Sequence, residues 1–91
     1  MGYGKEYLRK KHHHTLCQVF ASPVSTAIKW QDIEMLIIAL GGEVSMGRGS
    51  RVRFLLNDSV AHFHRPYPDP TTDKGAVLGL RHWLQEQGVM P

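Results

Sequence analysis

Cysteine occurs once in the 91 residues, at Cys17. An intrachain disulfide is therefore excluded, a cysteine-based metal cage cannot form, and a reducing cytoplasm is the expected compartment. Long apolar runs are also missing. The longest, residues 35–40, is far short of the ~20 residues that a membrane-spanning helix needs, and the charged start has no secretory apolar segment behind it. A soluble cytoplasmic chain with no membrane contact is the expectation. Charge of one sign is barely in excess, with 11 Lys+Arg against 8 Asp+Glu for a formal +3. Net charge alone thus argues only weakly for a polyanionic partner; six histidines can add to it below imidazole's usual pKa of about 6.5. No helix-turn-helix signature with a basic recognition helix is visible, which disfavours a transcriptional regulator.

What remains is a sequence 42% hydrophobic, enough for one compact domain that buries roughly 60–70% of its unfolded surface. Residues 1–11 carry Gly2, Gly4 and a Lys/Arg cluster with few apolar positions, and read as a mobile basic arm ahead of a single domain over 12–91. His12, His13 and His14 are adjacent, so they cannot all point one way. They suit a polar helix start or a purification remnant better than a metal site. Leu16, Val19 and Phe20 predict a short helix over about residues 13–21, halted by Pro23. In this setting Cys17 reads as a small buried apolar residue. Trp30, Ile33, Leu36, Ile37 and Leu40 predict a second helix, ended by Gly41-Gly42.

The period then changes from helical to two. Val44 and Met46, then Val52, Phe54 and Leu56, then Ala61 and Phe63 fall on one side of a sheet. The links Gly47-Arg48-Gly49 and Asn57-Asp58 suit antiparallel hairpins. After a loop holding Pro66, Pro68 and Pro70, helical spacing returns through Ala76, Val77, Leu80, Trp83 and Leu84, with Asp73 as N-cap and Gly88 as stop. The predicted order is α-α-β-β-β-α, an α+β fold whose three-stranded antiparallel sheet has helices packed on one face. Trp30 and Trp83 read as core rather than base-stacking residues. Asp69 and Asp73 read as turn and cap residues, and the loop between them offers no metal-ligand spacing.

The same alternation places Arg51, Arg53, His62 and His64 together on the opposite, uncovered side, with Arg48 in the turn. Arginine suits phosphate, because it stays protonated and presents a fork of donors. Imidazole suits metal-free RNA cleavage, which needs one group to take the 2′-hydroxyl proton and another to protonate the leaving oxygen. The alternative is that these are ordinary charged residues of an exposed sheet face, which guard against aggregation.

Several pieces in order resemble the HicA toxins, small ribonucleases of bacterial toxin-antitoxin pairs. They are Trp30-Gln31-Asp32-Ile33-Glu34, Leu40-Gly41-Gly42-Glu43, Gly49-Ser50 entering the second strand, Lys74-Gly75 opening the last helix, and Leu84-Gln85-Glu86-Gln87-Gly88-Val89 closing it. Phe63-His64-Arg65-Pro66 looks like a variant subgroup of that family. The resemblance implies a double-stranded-RNA-binding-like fold, messenger RNA as substrate, no cofactor and a HicB-like antitoxin partner. It also implies RNA contacts at Gly49, Ser50 and Lys74, beside Arg48, Arg51 and Arg53. Where that family has Gly-Ser-His this chain reads Gly49-Ser50-Arg51, and arginine is a poor general base. Catalysis is then expected from His62 and His64 of the neighbouring strand. The alternative is a catalytically inactive module that binds RNA or a protein.

Overall fold

The computed structural model describes residues 8–91; the first seven residues of the segment read as an arm lie outside them. The elements are α1 (Lys10–Val19), α2 (Trp30–Ala39), β1 (Glu43–Met46), β2 (Arg51–Leu56), β3 (Ser59–His64) and α3 (Lys74–Glu86). The α-α-β-β-β-α order and one antiparallel sheet, β1-β2-β3, agree with the sequence pattern.

Helix α1 starts earlier than its apolar spacing suggests. Lys10 and Lys11 form its first turn instead of ending a free arm, and Leu8 packs against the core. Lysine is a good helix former, and Leu8 anchors the entry. The buried side is Thr15, Leu16 and Val19. Each residue advances about 100° round a helix, so Cys17 lands on the far side. It is exposed, which corrects its reading as a buried residue; its Sγ lies 3.6 Å from His13 Nε2 one turn back. Thr15 tolerates burial because its hydroxyl donates to the Lys11 carbonyl at 3.2 Å.

The end of α1 is held from across the fold. Arg81 of α3 donates Nε–H to the Val19 carbonyl at 2.8 Å and Nη2–H to the Ala21 carbonyl at 2.7 Å. A cation here meets the negative end of the helix and satisfies carbonyls that have no partner within it.

At the start of α2 no side chain caps the helix. The proline-bearing loop does part of that work: Trp30 N–H donates to the Pro70 carbonyl at 2.9 Å, and Thr72 N–H donates to the Ile28 carbonyl at 2.7 Å. Lys29 and Thr71 thus pair as an isolated antiparallel bridge. Asp69 accepts from the Thr71 N–H and hydroxyl at 2.9 and 2.7 Å, the expected turn role. Asp73 accepts from Ala76 N–H at 3.3 Å as the cap of α3. Gly41 ends α2 at φ +91°, and a Cβ on Gly42 would stand 2.6 Å from the Leu55 carbonyl oxygen. Only glycine lets the helix end settle this close to β2.

Val52, Phe54 and Leu56 are buried, while Arg51 and Arg53 are exposed, as strict alternation requires. The core centres on Phe54. Trp30 stacks on it at 5.6 Å between ring centres, and Phe63 and Trp83 lie at 5.3 and 6.3 Å. Both indoles are buried and both N–H groups are satisfied, Trp30 by Glu34 at 2.9 Å and Trp83 by the Ser59 hydroxyl at 2.8 Å. Met46 sits opposite Val52 and so shares its side of the sheet, yet it is 52% exposed. It lies at the outer end of an edge strand, where alternation sets direction but not cover.

Candidate functional site

Asn57 and Asp58 adopt φ values of 52° and 62°, the left-handed pair of a two-residue turn whose twist matches the strands it joins. That turn fixes the β2–β3 register, which sets Arg51 opposite His64 and Arg53 opposite His62. The β1–β2 register adds Ser45 beside Arg53. All of these side chains are exposed on the open side of the sheet. His62 and His64, two apart on one strand, share that side at a spacing of roughly 6.5–7 Å.

The turn before β2 brings more donors. Gly49 has φ +62°, with nothing within 4 Å of where a Cβ would stand, so its backbone conformation and not crowding calls for glycine. Gly47 N–H donates to the Arg51 carbonyl at 2.8 Å, and Arg65 N–H to the Ser50 carbonyl at 2.7 Å, which extends the ladder beyond the strand ends. Ser50 therefore belongs to the turn. Its Oγ lies 3.3 Å from His64 Nδ1, a contact that leaves the outer ring nitrogen, Nε2, facing away from it. Side-chain spacing in the sequence gave no signal for this bond, because Ser50 precedes the regular strand.

Two adjoining shallow depressions lie beside the paired arginines and histidines. One, of about 340 Å³, is bordered by Ser45, Arg48, Arg51, Arg53 and His62. The next, of about 370 Å³, is bordered by Arg51, His62, Phe63 and His64. Arg51 and His62 border both, so the two adjoin. Among the described residues no ion pair engages Arg48, Arg51, Arg53 or Arg65; the one ion pair is His82 with Glu86 on α3. Four guanidinium groups without a carboxylate partner can be served by water or by an external anion. An open basic face suits an extended polyanion better than a small substrate, which needs a concave site that encloses most of its surface.

Lys74 stands apart from this group. It opens α3, which packs on the covered side of the sheet, where Gly79 lies against Phe63. It borders neither depression. Arg65 was not among the sequence candidates, though it follows His64 directly; its place beside the turn depends on the backbone bond to Ser50. Comparison with protein-family models, with curated proteins and with solved structures gave no match to this chain.

Proposed function

We propose that this chain is an RNA-binding toxin of a type II toxin-antitoxin pair, similar to the HicA toxins, and a metal-independent endoribonuclease acting on messenger RNA. The observation that carries this reading is the register-locked pairing of Arg51 with His64 and Arg53 with His62 on one open face. The double-stranded-RNA-binding-like character of the fold belongs to the same proposal. Its support is the element order together with the motif resemblance.

The chemistry follows from these groups. One imidazole takes the proton of a ribose 2′-hydroxyl, the resulting oxygen attacks the adjacent phosphorus, and the 5′-oxygen bond breaks as the second imidazole protonates the leaving oxygen. The products are a 2′,3′-cyclic phosphate and a free 5′-hydroxyl, so atoms and charge balance without a metal or another reactant. Arg51 and Arg53 stabilise the added negative charge on the phosphorane, a kind of help typically worth ~3–4 kcal/mol per well-placed donor. A HicB-like antitoxin would inhibit most directly by covering the same face.

The test is incubation of the chain with labelled single-stranded RNA in excess chelator, beside His62→Ala and His64→Ala. Cleavage by the parent and its loss in either variant is the expected result. Undiminished cleavage in both variants would remove the histidines from the mechanism. Arg51, standing where the HicA family carries histidine, favours a second reading as an inactive RNA-binding or protein-interaction module. Retention of RNA by the parent without any cleavage would select it, and induced expression without antitoxin would then fail to arrest growth.

A further inference from the structure

Base stacking cannot fall to Trp30 or Trp83, since both are buried. Another ring is placed for it. Tyr67 is 92% exposed, and among the described residues no other phenylalanine, tyrosine or tryptophan side chain is exposed. A ring left this open contributes nothing to the core, although aromatic side chains gain much by burial.

Tyr67 stands between Pro66 and Pro68, whose fixed φ angles stiffen the chain on both sides. The segment is tied down at one end by Arg65 N–H on Ser50 and at the other by the Pro70 and Thr72 bonds to residues 28–30. Tyr67 borders a third depression, of about 310 Å³, with Gly49, Ser50, Arg65 and Pro66. Ser50 in turn contacts His64, which borders the next depression together with Arg51. A flat ring, a hydroxyl, a guanidinium and then the two arginine–histidine pairs thus follow one another along the surface.

We infer that Tyr67 is a stacking platform for one unpaired nucleobase of a single-stranded RNA whose backbone runs from Arg65 along Arg51 and Arg53. This rests on the RNA reading above and narrows it to single strands. In a duplex the base faces are already stacked on one another, whereas in a single strand they are free to lie on an aromatic ring. Every base has such a face, so the contact adds affinity with little sequence preference.

The experiment is a fluorescence-anisotropy titration of a short labelled RNA carrying 2′-methoxy groups, which cannot be cleaved by 2′-attack. It compares the parent, Tyr67→Ala, Tyr67→Phe and Arg51→Gln, with a duplex of the same sequence as a second probe. Tyr67→Ala should weaken single-strand binding about 5- to 150-fold, the range that one base–aromatic stack covers. Tyr67→Phe should stay close to the parent, and duplex binding should not respond to either change. Equal losses in Tyr67→Ala and Tyr67→Phe would overturn stacking in favour of a hydroxyl contact. Unchanged binding by Tyr67→Ala alongside weakened binding by Arg51→Gln would overturn the platform, leave the RNA face standing and point to a protein partner for Tyr67. No binding by the parent would overturn both.

Discussion

Removing Arg51 and Arg53 tests the open face most directly, through salt. Each phosphate held by a protein cation releases condensed counterions, and for single strands log K falls against log salt by about 0.7 per phosphate. Arg48, Arg51, Arg53 and Arg65 are the unpaired arginines at this face. If each takes one phosphate, the slope is about −2.8, and affinity drops about 50-fold between 50 and 200 mM salt. The double change Arg51→Gln, Arg53→Gln should halve the slope to about −1.4 and leave a drop of only about 7-fold over the same range. Both residues are exposed and neither contributes to the core, so the folded state should survive; circular dichroism would verify this. Anisotropy titrations at several salt concentrations give both slopes. A parent affinity indifferent to salt, or an unchanged slope in the double variant, would refute phosphate binding by this strand.

Arg81→Met keeps the apolar stem but deletes the two charge-assisted bonds to the end of α1, so we expect a loss of about 2–3 kcal/mol and a midpoint lower by about 10–20 °C in thermal melts. A shift under about 2 °C would show that α1 does not depend on this contact. Phe54→Ala empties the centre of the aromatic cluster and should cost about 3–5 kcal/mol, read by urea denaturation; a cost below about 1 kcal/mol would mean that the cluster is not tightly packed. Ser50→Ala should alter the imidazole tautomer populations of His64 but not of His62 in nitrogen-15 spectra, and an identical response of both rings would discount the Ser50 contact. Bonds from the Thr71 N–H and hydroxyl hold the Asp69 carboxyl below its usual range. Its stabilising contribution is therefore full above about pH 4 and lost as pH falls through the lowered folded-state value. The melting-point advantage of the parent over Asp69→Asn should accordingly shrink from about pH 6 to about pH 2, and a constant difference would contradict the linkage.

The sheet was legible because its information is local. Period-two spacing assigned Arg51 and Arg53 to one side and Val52 and Phe54 to the other. Asn57-Asp58 leaves room only for a two-residue hairpin loop, and the register follows from that length. Cys17 and Met46 mark where the pattern ran out. The first needed the true centre of α1's buried side, which Thr15 shifts, and the second needed the extent of the helical cover. Arg81 was illegible because its partners lie some sixty positions away. The Ser50–His64 contact and the place of Arg65 depend on ladder bonds that continue past the strands, and Tyr67 is a platform candidate only once the loop is seen clasped to the start of α2.

The Arg81 clasp also bears on synthesis. Both hairpins of the sheet are made from neighbouring stretches of chain and can pair as soon as they emerge. The end of α1 and much of the core, including Val77, Leu80, Trp83 and Leu84, must wait for α3. During translation the basic strands therefore exist before the helix that completes the core beneath them. A nascent chain stalled before residue 74 would display its arginines on a sheet without a completed core, and would acquire its rigid surface only when α3 arrives.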